Sequence, residues 1–315
     1  MVEKIVSLTH GKDLDGIASA AIVLRYARKK SLPYEVYFSE PSLLIETFQK
    51  ITAFESEIAE LIISDIGLNK GLLTKVINVL NTVKGKYSVK IRWFDHHLWD
   101  SRIKEKISEI VDELVVNERF CAAELIQRHI LPEDAIAAKL AFLARDADFW
   151  IFSNEISKKL SKIISYREVA LKDLIVILSK GEYWNEVLEK AYSRALEREK
   201  ELLDKGLKSL ETYKVKKFNV ALVKGKIPAG EIAEILAKKG YDIIVVVSPE
   251  GKVSLRRGSK KVNLVPIAEK LNGGGHPFAA GGSLNYHRLD KLLAKYFGIF
   301  RKKEIILKVI EEVLT

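Results

Sequence analysis

Asp95, His96 and His97 stand side by side in RWFDHHLWD, at the end of an apolar run, in a chain that has only six histidines. Neighbouring side chains of a strand point to opposite faces, so two adjacent imidazoles cannot both fill one core face. The place that suits them is the point where a strand ends and a loop begins, with each ring free for a different task. Three further stretches share this form. The run KIVSL leads into THGKDLDG, with His10, Asp13 and Asp15. LIIS leads into Asp65, and an apolar helical stretch leads into LARDADFW, with Asp146 and Asp148. Taken singly, each has an ordinary structural reading, such as Asp15 before Gly16 as a helix cap. Together they crowd carboxylates, which is unfavourable unless cations neutralise them. Carboxylates with one or two imidazoles suit Mn²⁺ or Mg²⁺ better than zinc. Two ions about 3.5–4 Å apart, sharing one carboxylate, would fit the ligand count and supply a bridging hydroxide.

A second constellation is GGGHPFAAGG, residues 273–282. Gly273, Gly274 and Gly275 let backbone N–H groups approach an anion closely, and His276 can bind a phosphate oxygen or a nucleotide hydroxyl. The ordinary reading is a glycine-rich turn. Arg256 and Arg257 in VSLRR alternate on a strand, which makes Arg256 the phosphate fork and Arg257 its outward neighbour.

These residues need a frame to converge. EKIVSL, VYF, ELIISDI and VKIRWF read as strands, separated by helical segments such as IASAAIVLRYARKK and KGLLTKVINVLNTV. Apolar strands alternating with helices predict an α/β fold, a parallel sheet with helices on both faces, and function collects beyond the carboxyl ends of its strands. The segment 120–165 reads as mostly helical. The sequence predicts a first domain over 1–182, a long charged connecting helix over 183–213, and a smaller α/β domain with a mixed sheet over 214–315. In the last, FNVALVKG and YDIIVVVS are strands, PEGK is a hairpin turn, and residues 288–315 form helix broken near Phe297 to Phe300.

Composition narrows the class. With 48% hydrophobic and 30% charged residues, the chain reads as a soluble globular protein of two cores. No apolar run approaches a membrane span and MVEKIVSLTH enters a strand directly, so the expectation is a cytoplasmic protein with no membrane partner. Cys121 is the sole cysteine, which excludes disulfides and cysteine zinc sites within one chain. Scarce Gln and Met with abundant Lys, Glu and Ile suggest a hyperthermophile. The net charge of +10 is lopsided: residues 1–185 hold 26 basic and 26 acidic groups, residues 186–315 hold 26 and 16. A lysine-rich solvated surface accounts for this, as does a platform for a polyanion such as nucleic acid.

THGKDLDG, ISDIG, WFDHH and ARDAD, in this order, resemble the four motifs of the DHH phosphoesterases. VSLRR with GGGHPFAAGG resembles their DHHA1 substrate-binding domain, so the resemblance spans nearly the whole chain. Archaeal RecJ-like nucleases of compact two-domain form, such as the Hef-associated nuclease, look nearest. The resemblance implies that Asp13, Asp15, Asp65, His96 and Asp146 hold two Mn²⁺ (or Mg²⁺) ions, with Asp65 bridging them. It makes His97 the histidine that faces the substrate phosphate and Asp95 the carboxylate that orients the neighbouring ring. Many members carry a ligand histidine in the pattern H-x-x-x-D-x-D; here Thr9 holds that position and His10 sits one residue closer to Asp13. Asp148 has no counterpart in the pattern, and an outward or supporting role is expected for it.

The resemblance thus implies a metal-dependent exonuclease acting on single-stranded DNA or RNA from an end, 3′→5′ by analogy, in DNA repair or stalled-fork processing beside a helicase/nuclease such as Hef. His97 would contact the scissile phosphate and help protonate the departing oxygen. Phe278, Tyr286 or Trp99 would stack a base. Two other readings stand beside it: a hydrolase of short RNA, cyclic dinucleotides or bisphosphorylated adenosine, and a catalytically silent scaffold of a replication or repair complex.

Overall fold

The computed structural model describes residues 3–55, 57–259 and 262–314. It divides into two compact units, residues 1–195 and 196–315.

In the first unit the chain runs β1 (Lys4–His10), α1 (Leu14–Lys29), β2 (Tyr34–Ser39), α2 (Leu44–Phe54), β3 (Ile58–Ser64), α3 (Leu73–Lys86), β4 (Lys90–Asp95), α4 (Ser101–Ser108) and β5 (Glu113–Val116). Four helices follow, α5 (Ala122–Ile130), α6 (Ala135–Asp148), α7 (Glu155–Tyr166) and α8 (Leu171–Ser179). The strands form one sheet in the order β2-β1-β3-β4-β5, and every pairing is parallel. Each face carries its own apolar layer. Ile5, Ile62 and Phe94 pack with α1, α5, α6 and α8 on one side. Val6, Leu8, Leu61, Ile63 and Trp93 pack with α2, α3 and α4 on the other. A sheet sandwiched in this way needs apolar residues on both faces, which is why its strands read as continuous hydrophobic runs.

Helix α1 lies deepest, with thirteen of its sixteen residues buried. Its first turn sits hard against the end of β1: a Cβ on Gly16 would lie 2.0 Å from the His10 carbonyl oxygen. The Thr9 hydroxyl donates to the Gly16 carbonyl at 3.0 Å and receives the Ser64 hydroxyl at 2.9 Å, tying the ends of β1 and β3 to that turn.

Helix α9 (Glu186–Lys208) carries the chain onward; Leu188 and Ala191 belong to the first unit's core, while Leu202, Leu203 and Leu207 pack in the second. The second unit continues with β6 (Glu211–Val215), β7 (Phe218–Lys224), α10 (Ala229–Lys238), β8 (Ile243–Val247), β9 (Lys252–Arg257), α11 (Val265–Lys270), β10 (Gly274–His276), β11 (Ala279–Ser283), α12 (Arg288–Phe297) and α13 (Lys303–Val313). Its sheet runs β10-β11-β9-β8-β7-β6 and is mixed: only β7 and β8 are parallel. The helix expected to reach Tyr213 stops at Lys208, because residues 211–215 leave it to form an edge strand. The terminal helix breaks as expected, with Gly298 left-handed at the end of α12.

Candidate metal centre

The first sheet delivers its chemistry at the carboxyl ends of β1, β3 and β4. Asp13 caps α1: its Oδ1 accepts from the Gly16 N–H at 3.1 Å, and its Oδ2 takes a hydrogen bond from His10 Nδ1 at 2.6 Å. Asp15 is buried and held by the start of another helix. Its two oxygens accept the backbone N–H groups of Ala122 and Ala123 at 2.7 and 2.8 Å, at the positive end of α5. Asp65 follows β3 with φ of 55°, a left-handed conformation that a carboxylate-bearing residue adopts at a cost of about 1–3 kcal/mol. The strain is fixed by its N–H bonding to the Phe94 carbonyl at 3.1 Å.

Asp65 stands at the middle of the cluster. Its Oδ2 lies 3.5 Å from His10 Nδ1 and its Oδ1 lies 3.4 Å from His96 Nε2. His96 Nε2 is also 3.7 Å from Asp15 Oδ2, and its Nδ1 is 3.6 Å from Asp148 Oδ2. Among the described residues three donor groups result: His10 with Asp13 and Asp65, Asp65 with His96 and His97, and Asp15 with His96 and Asp148.

The electrostatics fit a cation. Burial pushes Asp15 well above the usual carboxylate range, with Asp65 and Asp148 adding repulsion; burial likewise raises Asp65 and Asp148. Burial pushes Asp13 up, but the hydrogen bond and charge of His10, together with the Gly16 N–H, outweigh it and hold Asp13 below its usual value. The Asp13 hydrogen bond, joined by Asp65, pushes His10 up to about 10. Burial pulls His96 down, but Asp65, Asp15 and Asp148 outweigh it and bring it to about 9. Protons on these imidazoles thus stand where positive charge is needed. Asp65 Oδ2 remains buried without a hydrogen-bond partner, which leaves a lone pair for a cation at the shared carboxylate. A site of carboxylate oxygens with a minority of imidazole nitrogens suits a hard divalent ion.

His97, which shares a donor group with Asp65 and His96, is held by a further carboxylate. Its ring is half exposed, and Nδ1 lies 2.8 Å from Asp95 Oδ1, which raises its pKa. The other Asp95 oxygen accepts the Trp99 indole N–H at 2.6 Å. Asp95 is therefore clamped on both oxygens and fixes the His97 ring.

Several residues fall elsewhere than the sequence implied. Asp146, expected among the ligands, points out of the cluster. Its Oδ1 accepts from Ser153 N–H and hydroxyl at 2.9 and 2.6 Å, and its Oδ2 from the Asn154 N–H at 3.0 Å. Asp148, expected outside, is the carboxylate that α6 brings to His96. The two are separated by about 200° around the helix, so only one can face the site. Trp99 and Tyr286 are buried and cannot stack a base; Phe278 is exposed. The sequence offered Trp99 only as a stacking ring; its hydrogen bond to Asp95, and the hold of the α5 N-terminus on Asp15, went unread because neither donor bears a charge that marks it.

In the second unit, Arg256 pairs with Ala279 across β9 and β11, and Ala279 pairs with His276 across β11 and β10. Directly opposed residues share a face, so Arg256 and His276 lie on one side with a small residue between them. Arg257, the next residue of β9, lies over the Phe278 ring at 6.0 Å, and Phe278 stacks on His276 at 5.6 Å. The glycines have separate reasons. A Cβ on Gly273 would meet the Gly281 carbonyl oxygen at 1.8 Å, and Gly275 has φ of 139°, whereas Gly274 faces open space.

The family model of the DHHA1 domain matches residues 216–302. Among curated proteins, no sequence match was found. Solved structures do match. The DHH domain of a member of the s1p family of ribosomal proteins is 18% identical, with a TM-score of 0.62 over 99% of this chain and 87% of that one. An exonuclease RecJ bound to manganese is 14% identical, with a TM-score of 0.56 over 98% and 90%. An exopolyphosphatase-related protein from Bacteroides fragilis is 17% identical, with a TM-score of 0.53 over 99% and 94%. At these identities the likeness is one of fold. The DHH/DHHA1 resemblance is borne out on those terms: residues 216–302 match the DHHA1 domain, and the chain as a whole shares its fold with these structures, a DHH-domain protein and a RecJ exonuclease among them. Among the described residues, no helix is long and apolar enough to cross a membrane.

Proposed function

We propose that the protein is a metal-dependent phosphodiesterase that degrades single-stranded DNA or RNA from an end, with two Mn²⁺ or Mg²⁺ ions held by Asp13, Asp15, Asp65, His96, Asp148 and His10. The observation that carries this reading is Asp65. It turns one oxygen to each of two donor groups and keeps a buried lone pair free. When bound, the cations supply Lewis-acid stabilisation of charge on the phosphoryl oxygens. The protein's own residues do the rest. His97, oriented through Nδ1 by Asp95, holds a proton on its other ring nitrogen for the phosphate or the departing oxygen. Asp95 and Trp99 keep that ring from turning. In the second unit, Arg256 and His276 share the face that would hold a nucleotide phosphate.

The test is an end-labelled degradation assay on DNA and RNA strands, comparing Mn²⁺, Mg²⁺ and chelator. A ladder that shortens from one end, needs the metal, and drops ~100-fold or more in Asp65→Asn is the expected result. Activity on dinucleotides alone would turn the reading to a small-nucleotide hydrolase, and metal-independent silence on both would turn it to a scaffold.

A further inference from the structure

The chain has four tryptophans, and three are accounted for by packing. Trp93 and Trp99 are buried edge to face at 5.1 Å, and Trp184 packs on Tyr192 while its indole donates to Glu189. Trp150 differs, being 82% exposed. It follows Asp148 by two residues, so its Cα lies within about 7 Å of that of a carboxylate in the metal centre. The loop that presents it is built rather than slack. Trp150 and Phe152 both have left-handed backbone, with φ of 56° and 46°. The N–H of Trp150 bonds to the Ala147 carbonyl, those of Ile151 and Phe152 bond to the Asp146 carbonyl, and the Asp146 carboxylate caps Ser153 and Asn154. On one side Phe149 is pinned between the Arg145 guanidinium at 4.5 Å and the His96 ring at 6.4 Å. On the other, Phe152 meets the Trp150 ring edge to face at 5.5 Å. Its neighbours anchor the loop while Trp150 keeps its indole in water, an arrangement that costs apolar hydration and backbone strain together.

We propose that Trp150 is a positioning residue on which the base beside the scissile phosphate stacks, and that Asp146 serves the site by holding this loop. The inference rests on the nucleic-acid reading above. A phosphate at the metal centre brings its nucleoside with it, and an indole face takes any base, as an enzyme without sequence preference requires. Exposed Ile151 and Leu98, the latter adjoining His97, extend apolar surface beside the same residues.

Binding of a short single-stranded oligonucleotide is measured by intrinsic fluorescence in chelator, where no cleavage occurs, and turnover is measured separately with Mn²⁺. Full-length wild type, Trp150→Phe and Trp150→Ala are compared. Wild-type emission should quench on binding and Trp150→Phe should lose that quench while binding within about threefold of wild type. Trp150→Ala should bind about tenfold more weakly, with the turnover defect in KM rather than kcat. An abasic nucleotide at the cleaved end should bring wild type and Trp150→Ala together. Undiminished quenching in Trp150→Phe, unchanged affinity in Trp150→Ala, or a change in oligomeric state with the substitution would overturn the proposal. If wild type cleaves no strand, the catalytic reading falls, and the titration in chelator alone decides whether Trp150 stacks a base.

Discussion

Two aspartates two positions apart on α6 divide the work at the residue scale. Asp148 belongs to the donor group with Asp15 and His96, while Asp146 spends both oxygens on the loop after the helix. Asp148→Asn should therefore weaken Mn²⁺ binding by about tenfold or more and leave the thermal midpoint nearly unchanged. Asp146→Ala should do the reverse. It removes an acceptor of three hydrogen bonds, two of them from backbone N–H groups, and should cost about 2–3 kcal/mol in denaturant unfolding while the apo protein still takes up Mn²⁺. A titration of each variant with the metal, beside its unfolding curve, checks both. Loss of Mn²⁺ affinity in Asp146→Ala with intact stability would return Asp146 to the ligand set. The alternation was visible in ARDAD but its phase was not: a helix turns 100° per residue, and nothing in a five-residue motif says which aspartate faces inward.

At the scale of elements, the strands that carried the site were legible for the same reason that they carry it. β1, β3 and β4 occupy the middle of a sheet covered on both faces, so each is a mostly apolar run leading to an acid or an imidazole. Of the unread strands, β5, β6 and β10 are edges, where one neighbour is missing and apolar character is diluted, while β11 is interior but reads AAGGS, too glycine-rich to mark a strand. ELVV is short, ETYKV alternates with two of its five residues exposed, and GGH has no side chain able to mark a strand at all but its last. The hairpin of β10 and β11 also separates structure from function among the three glycines. Gly273→Ala would drive a methyl group into the Gly281 carbonyl and should cost about 2–4 kcal/mol in unfolding free energy. Gly274→Ala meets nothing within the protein and should shift stability by no more than about 0.5 kcal/mol. If the backbone here cradles a phosphate, Gly274→Ala should nevertheless weaken oligonucleotide binding severalfold, because the open space a Cβ would take is then the ligand's. A stable Gly274→Ala variant that binds like wild type would remove the cradle and leave a plain tight hairpin.

For the whole molecule, the unequal charge is the feature that the fold alone leaves unexplained. Residues 1–185 are balanced at 26 basic and 26 acidic groups, and all of the net +10 comes from residues 186–315. A solvated lysine surface and a phosphate-tracking surface contain the same residues but answer salt differently. Binding that neutralises phosphates releases condensed counterions, and for a single strand the slope of log K against log salt is about −0.7 per phosphate. If about four phosphates are neutralised, the slope is near −3, and raising salt from about 50 to 200 mM should weaken binding roughly 50-fold. The measurement is best made in chelator on strands of mixed sequence, where cleavage is silent and the stacking contribution of Trp150 is unaffected by salt. Trp150→Ala should then shift the whole line downward without changing its slope, since an indole releases no counterion. Arg256→Ala should lower the slope by about one phosphate's worth, since a guanidinium does. A flat line for the wild type would assign the surplus lysines to solubility and leave the metal centre to act on small nucleotides.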